Sequence, residues 1–224
     1  MIALIDSDIV AFRCAASAEN ELEDVAILRV DKLMKQLLEE TKSDSYLSFL
    51  TGSENFRYKI NPEYKANRKD KPRPKYLNAC REYLVTEYHS QITCGYEADD
   101  ALGIHQQDEG KTIICSVDKD LLQVSGLHYN WVYGNGEFKE VSNLEGLQRF
   151  YKQLLIGDTS DNLFGVSGIG PKKAAKIIDS IYDELEMFNA VKELYDDEER
   201  LMMNAQCMYI KRSEDDKYRI PELK

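Results

Sequence analysis

The sequence predicts an α/β fold in which a mostly parallel sheet is followed by a helical region. Three observations predict it. Short apolar runs alternate with helical stripes through the first part of the chain. Three of those runs stop at Asp6, Gly52 and Asp118. From residue 143 onward only helical periodicity remains.

Taken in order, Ile2 to Ile5 is a continuous apolar run, the pattern of a buried strand, ending at Asp6. Ile9 to Ala18 reads as a helix. Asp24 to Thr41 carries Ile27, Val30, Met34, Leu37 and Leu38, a helical stripe. Tyr46 to Thr51 is strand-like. The next stretch contains Pro62, Pro72 and Pro74 and has no clear period, so a mobile surface loop or irregular helix is expected. Pro74 to Tyr88 is helical, with Leu77, Cys80 and Leu84 on one face. Gln91 to Cys94 is a short strand, Ala98 to Gln107 a helix, and Thr112 to Val117 a strand before a helical turn at Leu121. Tyr129–Tyr133 and Phe138–Val141 flank Gly134-Asn135-Gly136, a hairpin signal. Helices are then expected over 143–156, 171–179, 183–195 and 197–210, with a polar tail from Ser213 as a loose end or edge strand. The expected division is a core over 1–142 and a helical region over 143–224.

The chain has 224 residues, 43% hydrophobic and 31% charged, which suits a soluble domain with a small appendage. No run of eighteen apolar residues and no signal peptide is visible, so a membrane partner is not expected and a cytoplasmic location is. Cys14, Cys80, Cys94, Cys115 and Cys207 are odd in number and include no Cys-x-x-Cys pair. They read as reduced core residues. His89, His105 and His128 have no metal-ligand spacing. The net charge of −11 argues against a nucleic-acid partner, but its distribution argues for one. Arg57 to Lys75 holds eight basic residues against Glu63 and Asp70.

Acidic residues recur at expected strand ends and helix starts: Asp6 and Asp8; Glu97, Asp99 and Asp100; Asp118 and Asp120; Asp158 and Asp161. Ligands of open parallel sheets bind outside the carboxyl ends of the strands, so the first three groups are expected on one rim. Two carboxylates about 4 Å apart repel by roughly 4 kcal/mol at an effective dielectric near 20. Six or more in one cleft need raised pKa values or cations. All-oxygen ligands suit magnesium or manganese, and two such ions can clamp the attacking and leaving oxygens of a phosphodiester. Any one of these residues, such as Asp99 or Asp158, reads better as a helix cap or turn residue, and only the joint pattern points to a metal.

Gly165-Val-Ser-Gly168-Ile-Gly170-Pro171-Lys172-Lys173-Ala174 is the most specific local signal. Gly168 and Gly170 permit close approach of another backbone. Pro171 is placed to begin a helix. Its N-terminus offers free N–H groups to a phosphate, and Lys172, Lys173 and Lys176 add charge there. The alternative is a tight helix–helix turn with solvated lysines.

Five blocks carry a resemblance: IDSD at 5–8, NFRYKINPEYKANRKDK at 55–71, YEADDALG at 96–103, SVDKDL at 116–121 and GDTSDNLFGVSGIGPKKA at 157–174. In this order they make the chain resemble the 5′-nuclease (flap endonuclease) superfamily, most closely the short 5′–3′ exonucleases of tailed bacteriophages. The resemblance implies a PIN-like nuclease core with a basic arch segment at 55–75 and a C-terminal helix–hairpin–helix-type module binding duplex DNA. It implies 5′–3′ exonuclease or flap endonuclease activity on DNA, and on RNA primers paired to DNA, by water activated on divalent metal. Two magnesium or manganese ions would be held by Asp6, Glu97, Asp99, Asp100, Asp118, Asp120, Asp158 and Asp161, with Asp8 less firmly placed. Lys65 and Arg68 would touch the scissile phosphate, and Tyr64 would stack on a base. Gly168, Gly170, Lys172, Lys173 and Lys176 would grip the duplex, in relatives often with a potassium ion on backbone carbonyls. A monomer acting in DNA replication, in the host cytoplasm if phage-encoded, is implied.

One departure stands out. Relatives place an aspartate where this chain has Gly52, and Glu54 could replace it only if the loop is rearranged. Two other functions stay open on the sequence: a PIN-type ribonuclease for single-stranded RNA, and a non-catalytic DNA-junction binder. The hairpin argues against the first, and Gly52 keeps the second in play.

Overall fold

The computed structural model describes residues 1–107, 110–132 and 136–222. The chain opens with β1 (Ile2–Asp6), α1 (Ser7–Ser17), α2 (Glu23–Thr41) and β2 (Ser45–Leu50). The short α3 (Arg57–Ile60) and a 3₁₀ turn at Ala66–Arg68 lead to α4 (Leu77–Tyr88). Next come β3 (Gln91–Ile92), α5 (Ala98–His105), β4 (Thr112–Cys115), a 3₁₀ turn at Lys119–Gln123, β5 (Gly126–Asn130) and β6 (Glu137–Val141). The remainder is α6 (Asn143–Ile156), a small pair β7 (Gly157–Asp158) and β8 (Leu163–Phe164), α7 (Pro171–Ile178), α8 (Glu184–Lys192) and α9 (Glu198–Met208).

Six strands form one sheet in the order β3-β2-β1-β4-β5-β6, and every pairing is parallel except β5 with β6. The mostly parallel α/β core is thus as expected. β1 lies between β2 and β4, so the chain first builds outward on one side of β1 and then on the other. That reversal opens a crevice at the carboxyl ends of β1 and β4.

Both faces of the sheet are covered, which is why β1 is apolar without alternation. Ala3 and Ile5 pack in a cluster with Val10 of α1, Met34 of α2 and Leu84 of α4. Leu4, pointing the other way, packs with Ala101 and Leu102 of α5 and with Leu121. Ala26, Val30, Met34 and Leu37 of α2 are fully buried, as the helical stripe predicts. A third cluster joins α6 to α9 through Leu154, Leu155, Ile178, Phe188 and Leu201.

Several expectations are corrected. α1 begins at Ser7, because the Asp6 carboxylate caps it by accepting the Ile9 N–H at 3.2 Å. The basic stretch is partly ordered by α3 and the 3₁₀ turn, and α4 starts only after Pro74. β5 begins earlier than expected, at Gly126, and the hairpin residues 133–135 lie outside the described residues. The β7–β8 pair was not expected. The tail is not wholly loose: Tyr218 is buried in the helical cluster. Cys14, Cys80, Cys115 and Cys207 are buried free thiols, but Cys94 is exposed. Among the described residues no helix is long and apolar enough to cross a membrane.

The change of architecture falls near residue 143, yet the two parts interlock. Tyr64 belongs to the helical cluster, and Ile210 to the cluster beneath the sheet.

Candidate active site

A cavity of about 860 Å³ opens at the carboxyl ends of the central strands. Asp6, Glu97, Asp99, Asp118, Asp120, Asp158 and Asp161 all line it, together with Tyr64, Lys65 and Arg68. Asp6 ends β1. Asp118 and Asp120 follow β4, Glu97 caps α5, Asp158 ends β7 and Asp161 lies in the turn between β7 and β8. Local chemistry fixes several of them. Asp6 accepts the Ser116 hydroxyl at 2.7 Å, Asp118 accepts the Asp120 N–H at 2.8 Å, and Asp158 accepts the Ser160 N–H at 2.8 Å.

The carboxylates disturb one another in two overlapping sets. Burial, and then the charges of Asp8 and Asp118, push Asp6 up to about 7. Burial with Asp6, Asp118 and Glu97 raises Asp99 well above the carboxylate range. In the second set, burial with Asp118 and Asp158 pushes Asp120 up to about 7. Such mutual repulsion is the condition that cations relieve.

Protein cations supply part of that relief. Lys65 Nζ lies 2.5 Å from Glu97 and 3.8 Å from Asp161, and Arg68 lies 2.5 Å from Asp161. The Lys65 N–H donates to the Asp161 carbonyl at 3.0 Å, with Lys65 at φ +55°. Asn67 and Arg68 donate to the carbonyls of Thr159 and Ser160 at 2.6 and 2.9 Å. The Tyr-Lys-x-Asn-Arg segment is therefore seated on the turn that carries Asp158 and Asp161. Among the described residues no three acidic, histidine or cysteine groups are gathered as a metal-ligating set. The oxygen-only donor chemistry fits a hard divalent cation, but its convergence is not preformed.

Two sequence expectations are corrected by burial. Tyr64 is only 2% exposed, and its hydroxyl lies 2.8 Å from Asp161 and 3.1 Å from Glu97, so its ring is not available to stack on a base. Burial and the Glu97 charge keep the phenol protonated and therefore a donor. Asp100 does not line the cavity. Its carboxylate accepts two Arg57 bonds at 2.5 and 2.9 Å, the Glu97 N–H at 3.0 Å and the Lys211 N–H at 3.1 Å. Arg57 also donates to the carbonyls of Cys207 and Tyr209. This buried pair ties the start of α5 to the segment after α9, and leaves Asp100 no free edge for a metal.

Gly52 lines the cavity, but a Cβ there would sit 2.1 Å from the Thr93 carbonyl oxygen, so the backbone excludes a side chain. Glu54 does not replace the missing carboxylate, since it is exposed and outside the cavity lining. Asp8 does line the cavity. It is paired with Arg81 and accepts the Thr51 N–H at 2.8 Å.

Arg57, Arg81 and Arg149 were missed from sequence. Arg149 reaches within 3.6 Å of Asp120, and its buried Nε has no partner among the described residues. Arg57 lies in the basic stretch, but neither it nor the arginines on α4 and α6 carry a local signal of what they approach across the chain.

The glycine hairpin is separate from the cavity lining. Gly168 has φ +74°, a backbone region that favours glycine, and added side chains at Gly168 or Gly170 would meet open space. Pro171 is the first residue of α7, as expected. Lys172, Lys173 and Lys176 are exposed, and Lys173 Nζ donates to the Gly168 carbonyl at 2.8 Å.

A doubly covered, mostly parallel sheet with a carboxylate-lined crevice at its strand ends describes a class of α/β proteins with an acidic strand-end site. The particular family is set by comparison. Residues 1–151 match the family described as "5'-3' exonuclease, N-terminal resolvase-like domain", and the chain belongs to that family. It is 31% identical over 209 residues to the 5'-3' exonuclease of Mycoplasma pneumoniae, covering 78% of this chain and 70% of that protein. To the flap endonuclease Xni of Shewanella baltica it is 28% identical over 153 residues, covering 62% of this chain and 58% of that protein, so the chain spans just over half the length of that relative. Its fold resembles that of phage T5 5'-exonuclease with bound zinc (TM-score 0.71, 19% identity, 92% of this chain and 88% of that one). A T5 flap endonuclease complex with DNA and metal ions is similar at TM-score 0.66 and 19% identity, covering 91% and 87%.

Proposed function

We propose that this chain is a structure-guided 5′ nuclease that hydrolyses DNA phosphodiesters at 5′ ends and flaps, with RNA primers on DNA as a second substrate. One observation carries the proposal: eight carboxylates, Asp8 among them, share a strand-end cavity with the cationic Tyr-Lys-x-Asn-Arg segment. Family membership and the DNA and metal ions named in the T5 complex agree with it.

Asp6, Glu97, Asp99 and Asp118 would hold one divalent cation, and Asp118, Asp120, Asp158 and Asp161 a second, in keeping with the two sets in which these groups repel one another, Asp161 joining the second through Asp158. Bound magnesium or manganese would supply the Lewis acid that activates water against the phosphodiester. Lys65 and Arg68 would exchange their carboxylate partners for the scissile phosphate. Tyr64 would act from behind, its single hydroxyl proton shared between Glu97 and Asp161. Asp100 and Arg57 would hold the start of α5 in place. Gly168, Gly170, Lys172, Lys173 and Lys176 would grip duplex backbone without reading bases. A potassium ion at this hairpin would have to take the Gly168 carbonyl from Lys173.

A 5′-labelled flap substrate tests the proposal. Cleavage is expected with magnesium and not with chelator, and Asp118→Ala should abolish it. Flap DNA left intact by the wild-type protein with either magnesium or manganese overturns it. Faster cutting of single-stranded RNA than of flap DNA would instead support a ribonuclease.

A further inference from the structure

Arg81 is a cation of the cavity that neither the motifs nor the comparisons assign. It stands on α4, one turn after Leu77 and Asn78, and all three line the cavity. Residues at this spacing share a helix face, so the first half of α4 forms a wall of the cavity. Nη1 of Arg81 pairs with Asp8, and Nη2 donates to the Thr51 carbonyl at 2.7 Å. Asp8 is itself fixed by the Thr51 N–H at 2.8 Å. The guanidinium is thus held at two points against the end of β2.

A guanidinium has five N–H groups, and these two contacts are the only ones Arg81 makes among the described residues. Its side chain keeps 28% of its exposure. The contrast is with Arg57, which is 3% exposed and has donors committed to Asp100, Cys207 and Tyr209. Arg57 is a structural cation. Arg81 is a positioned one with donors to spare, in a cavity whose other charges are mostly negative. A polyanion entering that cavity needs fixed cations on its walls. Lys65 and Arg68 supply them beside Asp161, and Arg81 supplies one beside Asp8.

We propose that Arg81 binds a backbone phosphate of the strand entering the cavity, and that Asp8 and the Thr51 carbonyl are positioning groups that aim it. The proposal rests on the nuclease reading above, since it takes the substrate to be a nucleic acid. Arginine suits this task because its planar fork can grip two phosphate oxygens while other donors stay anchored.

The test is equilibrium binding of a fluorescent flap DNA, with calcium in place of magnesium, across a range of salt concentrations. Arg81→Ala should weaken binding about five- to tenfold and reduce the slope of log Kd against log salt by about 0.7 to 0.9, the loss of one phosphate contact. Asp8→Asn should keep that slope, since the Arg81 charge remains, but weaken binding severalfold because its aim is lost; Asp8→Asn with wild-type affinity overturns the positioning role. Arg81→Lys should keep the slope but lose part of the affinity, because its charge remains and its fork does not. If Arg81→Ala does not fold, Arg81→Gln, which can still bond the Thr51 carbonyl, takes its place with the same expectation. Folded Arg81 variants that match wild type in affinity and slope overturn the proposal, and leave the Arg81–Asp8 pair as a brace. Wild-type protein that does not bind flap DNA at all would sink the nuclease reading instead.

Discussion

At the scale of single residues, the acidic positions divide by what their oxygens touch. Asp100 sits in the same Glu-Ala-Asp-Asp block as Glu97 and Asp99, yet all its acceptor capacity is spent on Arg57 and two backbone N–H groups. Removing one partner of a buried pair strands the other charge. Arg57→Ala should therefore cost about 3 to 5 kcal/mol in urea unfolding, and Arg57→Met combined with Asp100→Leu should recover much of the loss. A second prediction concerns pH. Asp6 and Asp120 are pushed up to about 7, so above their unfolded pKa near 4 the folded chain holds more protons than the unfolded one. Stability contributed by these groups then falls as pH rises through 7. Buried His128, pulled down to about 4, acts in the opposite sense, but only below its ordinary value near 6.5. In chelator the melting temperature should rise as pH is lowered from 8 to 6.5. Saturating magnesium should flatten that rise, and an unchanged slope in Asp6→Asn with Asp120→Asn would contradict the assignment. The acidic residue types and their order were legible in the sequence, because motif spacing records them. Which carboxylate turns inward to an arginine was not, since Arg57 meets Cys207 and Tyr209 across some 150 positions.

At the scale of elements, periodicity located most helices, and α6 falls on the expected residues 143–156. What escaped were pieces too short to have a period: α3, the 3₁₀ turns and the two-residue strands β7 and β8. These pieces hold Asp158, and they seat Lys65 and Arg68, so the least legible backbone carries part of the site. Two predictions belong here. Gly52→Asp would restore the aspartate of the relatives, but its Cβ would collide with the Thr93 carbonyl. It should lower the melting temperature instead of improving metal binding, which calorimetry of both quantities would check. Joint replacement of Lys172, Lys173 and Lys176 by alanine removes one exposed hydrogen bond, from Lys173 to the Gly168 carbonyl. It should leave stability nearly unchanged, weaken binding to blunt duplex DNA, and reduce the salt slope by up to about 2.7 if all three meet phosphate.

For the molecule as a whole, the sheet-bearing and helical parts do not behave as separable modules. Tyr64 is buried among the side chains of α6 to α9, and Ile210 is buried beneath the sheet. A fragment ending at residue 142 would expose the apolar surroundings of Ile210 and leave Arg57 and Asp100 without their backbone partners at Cys207, Tyr209 and Lys211. Such a fragment should show no cooperative unfolding transition, whereas the full chain should unfold in one, as circular dichroism in urea would reveal.

The clasp made by Arg57, Asp100 and residues 207–211 also sets an order of events during synthesis. Translation runs from the amino end, and earlier segments fold while later ones are still inside the ribosome. The carboxylates of the cavity are all made by residue 161, but the backbone groups that fix Arg57 and Asp100 arrive some fifty residues later. The nascent chain therefore carries its acidic residues for a time without the frame that sets them. Whatever cations or polyanions the acidic cavity receives, it can offer them a fixed geometry only after residues 207–211 have left the ribosome, so the early nascent chain is shielded from premature ligands by its own order of synthesis.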